Sequence, residues 1–477
     1  MKEYDIIVIG GGSGGLTAAS GAAQFGASTA LIEKKPTLGG DCLHYGCVPS
    51  KALITIGKEL HNTRTTAEAF GLKIAGEVQF HKAAQRVKQA IAEVQKHDDV
   101  QRFKKLGIDV YLKKAVFVDK QIIELSDGTR LKGKRFVIAT GSRPSIPPIE
   151  GLNQIKYFTN ESVFDLEKLP KRIVCAGAGP VGVELAQALS RLGAEITLIN
   201  STACLFPGED KDIAGIVQRR LEKEMTIFHE TRVIGVETNL TTEKKFIKTT
   251  GKHTLSLESD AVLIAAGRSP NTKELQLELA GVEMNEDGSL KVKATLQTSQ
   301  PHIFAAGDVT GSYPFTHAAG QEGQLVISNA VFGLKRKISY ASLPWAFYTD
   351  PELFHLGLTE QEAREKYGKD FRVYKVNADD NDRFTAERDQ EALAKFITLK
   401  NGRIIGAHAA GKNAVDWMHE VVTAKAWKKP LRSFSNVVYP YPSHGEMIKH
   451  ASDQYWRETL FKSPLAALLR HYVKWFR

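Results

Sequence analysis

Three features of the 477-residue sequence predict its fold class. An apolar strand, a glycine-rich turn, a helix and a second strand follow one another in YDIIVIGGGSGGLTAASGAAQFGASTALIEKK, and the pattern returns in RIVCAGAGPVGVELAQALSRLGAEITLIN. Further along, apolar and polar residues alternate in RVYKVNA and AKFITLKNGRIIGAHAAG, which is typical of antiparallel strands with a hairpin at KNGR. We therefore expect an α/β chain with two Rossmann-like dinucleotide-binding domains and a C-terminal α+β domain.

The first glycine turn has the spacing of a dinucleotide-binding site. Gly10, Gly12 and Gly15 form G-x-G-x-x-G between the strand and the helix. The first glycine allows the tight turn, the second lets a pyrophosphate approach the backbone, and the third lets the helix pack on the strand. The helix N-terminus offers free N–H groups to the phosphates. Glu33 ends the second strand and is placed to accept hydrogen bonds from a ribose.

The repeat of this unit predicts a second dinucleotide. Gly177, Gly179 and Gly182 occupy the three glycine positions. The strand that follows ends at Asn200, which is neither the acid expected for NAD nor an arginine that would meet the 2′-phosphate of NADP. The choice between NADH and NADPH stays open, with slight weight to NADH because NSTACLFPGED contains no basic residue.

The composition is that of an ordinary globular protein, with 42% hydrophobic and 25% charged residues. The net charge of +10 would permit nucleic-acid or acidic-membrane contact, but acids are interspersed among the basic residues and no DNA or RNA motif occurs. We interpret the charge as a solvated surface and expect no nucleic-acid partner. The N-terminus lacks the features of a secretory signal, and no apolar run approaches the roughly 18 residues of a spanning helix. We expect a cytoplasmic protein, in a compartment that keeps thiols reduced.

The chain has four cysteines, and two of them lie close together in GGDCLHYGCVPSKAL. Cys42 and Cys47 are candidates for a redox pair, for half of a zinc site, or for two buried thiols. No further close cysteine pair and no histidine pair completes a zinc shell, so we favour the redox pair and expect no metal site. Cys175 lies in an apolar strand and Cys204 in a loop, and we interpret both as inert.

Six segments, in the same order, resemble those of the FAD-dependent pyridine nucleotide-disulfide oxidoreductases, a family that includes dihydrolipoamide dehydrogenase, glutathione reductase and mercuric reductase. They are the first glycine motif, GGDCLHYGCVPSK, VIATGSRP, the second glycine motif with Glu184, LIAAGRSPNT and IFAAGDV. The resemblance covers nearly the whole chain. It implies an enzyme that passes electrons from NADH or NADPH through FAD to a redox-active disulfide.

The resemblance also implies where the cofactors bind. Asp308 would bond the ribityl chain of FAD, the backbone of Ala115 would lie near its adenine, and Lys51 would form an ion pair with Glu184 beside the flavin N5. The implied FAD-binding residues are Gly10, Gly12, Gly15, Glu33, Lys51, Ala115, Gly141 and Asp308. The implied residues for the nicotinamide coenzyme are Gly177, Gly179, Gly182, Asn200 and Gly267.

Within this resemblance the two close cysteines take different roles. Cys47 would lie against the flavin as a thiolate, and Cys42 would face the substrate as the interchange thiol. Both lie at the start of a predicted helix, whose N-terminus favours a thiolate and so lowers a cysteine pKa.

The same markers predict the domain boundaries. Residues 1–150 and 275–341 would form a split FAD domain, and residues 151–274 an inserted NAD(P) domain. Residues 342–460 would form the dimerisation domain, followed by a basic tail at 461–477. In the family this last domain makes the homodimer and lends residues to the active site of the partner subunit.

The chain departs from the family at NVVYPYPSHGEMIKHA. Dihydrolipoamide dehydrogenase and glutathione reductase have a histidine there, paired with a glutamate, as acid and base for thiol exchange. Glu446 matches the glutamate, but Tyr441 stands at the histidine position. A phenol of ordinary pKa about 10 is a poor base at neutral pH, so lipoamide turnover should be weak. His444 is a candidate replacement for the base, and an exposed polar histidine is the simpler interpretation of it.

The tyrosine is shared with the mercuric-reductase branch. Against that branch, no cysteine follows Cys204, whereas mercuric reductase ends in a vicinal cysteine pair. The tail PLAALLRHYVKWFR predicts a short helix with Leu465, Leu468, Leu469, Tyr472, Val473 and Phe476 on one face and basic residues, including Arg477, on the other. Such a helix docks on the dimer or lies on an anionic membrane, here the inner face.

Three functional hypotheses follow. The first is a mercuric-reductase-like flavoenzyme that reduces a small disulfide, a metal ion or a thiol adduct through Cys42 and Cys47, with a dihydrolipoamide dehydrogenase-like enzyme as its variant. The second is a quinone or dioxygen reductase acting directly from FAD. The third is a membrane-attached redox sensor.

Overall fold

A computed structural model describes residues 1–239, 244–461 and 464–476, without the side chains of residues 464 and 465. Arg477 and the side chain of Leu465, both assigned above to the tail, therefore lie outside the described residues. The chain divides into two compact units. The first comprises Met1–Ser201 with Glu230–Ser339, and the second comprises Thr202–His229 with Tyr340–Arg477.

The N-terminal part of the first unit alternates strands and helices. Its elements are β1 Lys2–Ile9, α1 Ser13–Gln24, β2 Thr29–Glu33, α2 Gly40–His44, α3 Cys47–Ala69, α4 Phe80–Gln95, α5 Val100–Lys105, β3 Ile108–Leu112, β4 Ala115–Asp119, β5 Ile122–Leu125, β6 Arg130–Ile138 and β7 Ser142–Pro144. The main sheet has the order β3-β2-β1-β6-β5-β4, with parallel pairing from β3 to β6. The apolar run of β1 is buried on both faces, as expected for a central parallel strand.

The middle of the chain contains the second strand–helix–strand repeat. Its elements are β8 Arg172–Ala176, α6 Pro180–Leu192, β9 Glu195–Ile199, α7 Lys211–Glu224, β10 Thr226–Phe228, β11 Thr231–Thr238, β12 Lys245–Gly251, β13 Ser256–Ser259, β14 Ala261–Ile264, β15 Arg268–Pro270, α8 Leu277–Ala280, β16 Ile303–Ala305 and α9 Thr316–Phe332. Strands β9, β8 and β14 pair in parallel, and β11, β12 and β13 pair antiparallel. β16 joins the first sheet beside β6.

The second unit is built on a five-stranded antiparallel sheet. Its elements from residue 344 onward are β17 Pro344–Phe347, β18 Glu352–Gly357, α10 Glu360–Tyr367, β19 Phe371–Asn377, α11 Asp382–Ala386, β20 Leu393–Leu399, β21 Ile404–Gly411, α12 Ala414–Trp417, α13 His419–Ala426, α14 Glu446–Phe461 and α15 Pro464–Phe476. The order of the strands in the sheet is β17-β18-β21-β20-β19. The hairpin predicted at KNGR joins β20 to β21. Helices α12 to α14 cover one face of this sheet with an apolar core.

Both glycine turns close as the sequence predicts. Gly10 has φ +114°, a left-handed conformation that disfavours side chains, and a Cβ on Gly15 would lie 1.9 Å from the Gly10 carbonyl oxygen. The second turn repeats this geometry, with φ +113° at Gly177 and 2.0 Å between a Cβ on Gly182 and the Gly177 oxygen. Among the described residues, no helix is long and apolar enough to cross a membrane.

Candidate redox-active site

The two close cysteines lie on two consecutive helices, a short one and a long one. Cys42 lies within α2, and Cys47 is the first residue of α3, so its backbone joins the helix N-terminus. The Cys47 thiol is exposed and lies 3.2 Å from the hydroxyl of Thr316, which begins α9. Cys47 therefore begins the longer helix, and Cys42 lies in the first turn of the short helix before it.

The surroundings of the pair separate the two thiol pKa values. A hydrogen bond from Cys42 is the main cause that lowers the pKa of Cys47, to about 6, and the Thr316 hydroxyl and the Lys51 charge add to it. The same hydrogen bond, together with burial, raises the pKa of Cys42. A reduced pair therefore keeps one proton on Cys42 and a thiolate on Cys47 at neutral pH.

The predicted ion pair is present beside the cysteines. Lys51 lies one helical turn after Cys47 on α3, and its Nζ donates to Oε2 of Glu184 at 2.7 Å. Glu184 is buried on α6. The ion pair thus places a positive charge near Cys47 while a carboxylate on a different helix holds it in position.

The first glycine turn fits a dinucleotide. A Cβ on Gly12 would find its nearest neighbour 3.8 Å away, the α-carbon of Gly40, so the backbone there is open to a ligand. Glu33 is buried at the end of β2 and accepts hydrogen bonds from Gly11 N–H at 2.7 Å and Lys35 N–H at 2.8 Å. Its carboxylate therefore fixes the turn as well as the strand end.

Asp308 belongs to a polar network that was not predicted from the sequence. Its Oδ2 accepts from Ser142 Oγ at 2.5 Å and lies 3.6 Å from Arg268 Nε. Arg268 also donates to Ser142 Oγ at 2.6 Å and pairs with Asp41 at 3.2 Å. Ser142 and Arg268 lie in the motifs GSRP and AAGRSP. Each directly follows a glycine, Gly141 or Gly267, that the family resemblance assigns to cofactor binding, so the motifs point to this network.

Two further residues of this region were missed. Glu322, fully buried on α9, accepts from Gly307 N–H at 2.6 Å and so anchors the turn before Asp308. Thr316 contacts Cys47 from the same helix. Neither residue belongs to one of the six family motifs. The packing of α9 brings them next to Gly307 and Cys47.

The structure also locates the remaining predicted cofactor contacts. Ala115 begins β4 and pairs with Leu125, and Gly141 has φ +65°. Gly179 precedes α6 and nothing lies within 4 Å of a Cβ built there. Asn200 is buried at the end of β9, and Gly267, with φ +115°, accepts from Ser145 N–H at 2.9 Å.

The predicted acid–base residues belong to the second unit. Tyr441 is 73% exposed, and its hydroxyl donates to Asp382 Oδ2 at 2.6 Å. This bond to a carboxylate raises the tyrosine pKa, so the phenol is protonated at neutral pH. Glu446 begins α14 and accepts from Ser443 N–H at 3.1 Å.

His444 is not the exposed polar histidine of the simpler interpretation. Its ring packs against Phe384 with centroids 4.4 Å apart, and its Nε2 lies 3.4 Å from Glu387 Oε2. Burial lowers its pKa. Among the remaining cysteines, Cys175 is fully buried in β8, which raises its pKa to about 12, and Cys204 lies in a loop, both as predicted.

The fold and this constellation define a class of protein. Residues 4–323 match the pyridine nucleotide-disulphide oxidoreductase family, and residues 343–452 match the dimerisation domain of that family. The chain therefore belongs to this family of flavoprotein oxidoreductases, which use FAD and NAD(P)H, and it is an enzyme of that kind.

The relatives carry different activities. The chain is 32% identical over 453 residues to mercuric reductase of Lysinibacillus sphaericus, covering 94% of this chain and 82% of that one. It is 32% identical to mitochondrial dihydrolipoyl dehydrogenase of Pisum sativum, covering 94% and 91%. The Cu(II) complex of the HOCl-induced flavoprotein disulfide reductase RclA from Escherichia coli has a TM-score of 0.84 and 25% identity, covering 95% of this chain and 100% of that one.

Proposed function

We propose that this enzyme uses NAD(P)H to reduce the Cys42–Cys47 disulfide and passes the two electrons to a small acceptor that needs little proton transfer, in the manner of mercuric reductase. The observation that carries the proposal is the polarised thiol pair, a low-pKa thiolate on Cys47 and a retained proton on Cys42, in a chain with a protonated phenol at the acid–base position.

FAD, held at the turn of Gly10, Gly12 and Gly15, would supply the two-electron relay between NAD(P)H and the disulfide. Breaking the S–S bond leaves one sulfur as a thiolate and requires one proton for the other sulfur. The Lys51 charge and the Thr316 hydroxyl favour the thiolate on Cys47. Cys42 therefore receives the proton and serves as the thiol that exchanges with the acceptor.

The acceptor side determines how many protons the enzyme must manage. Reducing a disulfide RSSR to two RSH consumes two electrons and two protons, so it needs an acid and base near Cys42. A thiophilic metal ion binds thiolates directly and needs fewer protons. Because Tyr441 keeps its proton at neutral pH, the metal or thiol-adduct acceptor is favoured over lipoamide.

The names of the relatives suggest the acceptors to test. Hg(II), Cu(II) and lipoamide should be supplied in turn to the purified flavoenzyme with NADH or NADPH, and coenzyme oxidation should be followed anaerobically. Turnover of a metal ion that Cys42→Ser abolishes supports the proposal. Fast lipoamide turnover by the unaltered enzyme contradicts it and favours a dihydrolipoamide dehydrogenase-like function.

The quinone reductase and redox sensor hypotheses predict different responses to the same variant. A quinone or dioxygen reductase acting directly from FAD would keep its acceptor reduction in Cys42→Ser. A redox sensor would show slow turnover with every acceptor. The oxidation state of its Cys42–Cys47 pair would still change with the thiol-to-disulfide ratio of the buffer. The coenzyme that reduces the enzyme faster would also resolve the preference left open at Asn200.

The C-terminal helix supports a proposal of peripheral membrane contact. Among the described residues of α15, Leu468, Leu469, Tyr472 and Phe476 are exposed on one face, and Trp475 is 81% exposed. The basic residues of α15 are Arg470 and Lys474, both exposed, and its sequence contains no Asp or Glu. An exposed apolar face with cationic flanks fits an anionic lipid surface.

Vesicle sedimentation tests this contact. The protein should bind vesicles that contain phosphatidylglycerol more strongly than pure phosphatidylcholine vesicles, and Leu469→Glu should remove most of the binding. Ala467→Glu adds the same charge on the opposite face and is the matched control, which should lose less. Equal loss in both variants would show a general charge effect and no insertion of the apolar face.

The match to a dimerisation domain supports a homodimer. We propose that residues 342–460 form that interface and bring Tyr441 and Glu446 into the active site of the partner subunit. We also propose the cytoplasm as the site of action and the domain boundaries at 150, 274 and 341.

A further inference from the structure

The second unit contains a cluster of metal-ligating side chains far from any motif of the sequence. His355 on β18 and His408 on β21 are directly paired across the two antiparallel strands, so their side chains share one face. Glu209, just before α7, reaches the same point. One ligand atom from each of the three side chains lies within 4.8 Å of those from the other two.

The two imidazole rings are held in defined tautomers. His355 is 2% exposed and His408 is 1% exposed. The Nε2 of His355 lies 2.7 Å from the Gly357 carbonyl oxygen, and the Nε2 of His408 lies 2.9 Å from the Leu358 carbonyl oxygen. Because a carbonyl only accepts, each Nε2 carries a hydrogen and donates it. Metal-binding histidines are oriented in this way by their second nitrogen.

The Nδ1 atoms of the two histidines differ in their hydrogen bonding. His355 Nδ1 lies 2.6 Å from Glu209 Oε2, a hydrogen-bond distance at which the two atoms share a proton, and a metal ion would displace that proton and move the two atoms slightly apart. His408 Nδ1 is buried and has no hydrogen-bond partner among the residues that the structure describes. A proton on His355 satisfies only the first pair, and leaving a buried polar atom unpaired costs about 1–3 kcal/mol.

The surroundings hold the carboxylate in place. Trp345 Nε1 donates to Glu209 Oε1 at 2.8 Å, and its ring stacks on His355 with centroids 3.6 Å apart. Close by, the buried Lys395 is shared by three carboxylates, those of Asp210 at 2.9 Å, Asp212 at 2.9 Å and Glu360 at 2.6 Å. Lys375 also pairs with Asp212 at 2.6 Å and Arg364 with Glu360 at 2.8 Å, so four carboxylates, counting Glu209, lie among three Lys and Arg cations.

We propose that Glu209, His355 and His408 form a binding site for a divalent transition-metal ion, with zinc as the best match to two imidazoles and one carboxylate. The ion would join the segment before α7 to strands β18 and β21 of the second unit. Its role is structural, because the two histidines are almost fully buried and the three ligands join separate segments of the second unit. The expectation of no metal site, drawn from cysteine and histidine spacing, is revised by this proposal.

Zinc content tests the site directly. Tag-free protein that carries Cys42→Ser, Cys47→Ser and Cys204→Ser, which removes the three thiols that are not buried, is loaded with Zn²⁺, desalted and measured by plasma mass spectrometry. We expect one zinc per chain. In this background His408→Gln and Glu209→Gln should each weaken zinc binding by at least about 10-fold. His81→Gln, an exposed histidine, is the matched control and should bind as the parent does.

Thermal unfolding supplies the second readout. Zn²⁺ should raise the melting temperature of the parent and of His81→Gln, and it should not raise that of His408→Gln or Glu209→Gln. Two ligand variants are used because one of them can fail to fold, which circular dichroism shows. Equal zinc content and equal melting shifts in parent and folded ligand variants would overturn the proposal, as would a parent that binds no zinc. The parent that lacks Cys42 and Cys47 has no disulfide relay, so the result is independent of the proposed function.

Discussion

At the scale of single residues, the decisive asymmetry lies between two thiols. Cys47 begins a helix, accepts from Cys42 and Thr316, and lies near the Lys51 ammonium, so every polar neighbour except Glu184 favours its thiolate. Cys42 donates to that thiolate and stays protonated. Neighbouring side chains, each hydrogen-bonded to the pair or one helical turn from it, therefore determine which sulfur is the thiolate and which keeps its proton.

We expect the Cys47 thiolate to titrate near pH 6. A lowered pKa means that the thiolate is present above about 6 and is protonated as the pH falls through that value. In the anaerobically reduced flavoenzyme, the long-wavelength thiolate-to-flavin absorbance band should fade over that range. Lys51→Met should move the midpoint up by about one pH unit, because it removes a nearby positive charge. Cys204→Ser should not move it, and an unchanged midpoint in Lys51→Met would contradict the assignment.

Tyr441 is the second informative residue. Its bond to Asp382 keeps the phenol protonated, so it cannot accept the proton that lipoamide exchange requires. Tyr441→His should raise the rate constant for lipoamide reduction by at least about 10-fold, since a positioned general base contributes about 10²–10⁴-fold. Tyr441→Phe removes the phenol without adding a base and should give no increase. Equal rates for the histidine and phenylalanine variants would show that this position does not limit thiol exchange.

At the scale of elements, we expect the two glycine turns to bind different dinucleotides, FAD at the first and the nicotinamide coenzyme at the second. In each turn the third glycine lets a helix start against the strand, with about 2 Å between the added Cβ and a carbonyl oxygen. A side chain at either position must push its helix away from its own strand. The two turns are built alike, so a substitution in each should disturb only the dinucleotide that binds there.

Gly15→Ala should purify with less FAD, while Gly182→Ala should keep its FAD and lose fast reduction by NAD(P)H. Overpacking of this kind costs about 1–3 kcal/mol, which corresponds to roughly 5- to 150-fold in affinity if the cost falls on the bound state. The ratio of flavin to protein absorbance and stopped-flow reduction measure the two effects. Gly208→Ala, where a Cβ meets nothing within 4 Å, is the control. Loss of FAD in Gly182→Ala would show that the turns are not independent.

At the scale of the whole molecule, the proposed dimer can be tested by mixing subunits. A Tyr441→His/Cys42→Ser chain supplies a histidine but no interchange thiol, and the unaltered chain supplies the thiol but no histidine. If the site is shared between subunits, co-expression should give lipoamide turnover that neither homodimer shows. Replacing Tyr441→His by Tyr441→Phe in the mixture should remove the gain. No gain in the mixture would place residue 441 beyond reach of the partner's cysteines.

Features that depend on local spacing could be predicted from the amino-acid sequence. The glycine motifs, the Cys42–Cys47 pair, the Lys51–Glu184 pairing and the hairpin at KNGR were all predicted, because short-range geometry or a family motif specifies them. The family membership followed from the order of those motifs, and the domain matches confirm it.

Which distant side chains meet is a property of the folded chain. Thr316 reaches Cys47 and Arg268 reaches Asp308 because packing of separate elements joins them, and no local pattern encodes these distances. His355 and His408 are paired by the register of two strands, and Glu209 reaches them from a segment more than a hundred residues earlier in the chain. Ligands so widely separated leave no spacing motif, so a metal site of this kind is visible only after the chain has folded.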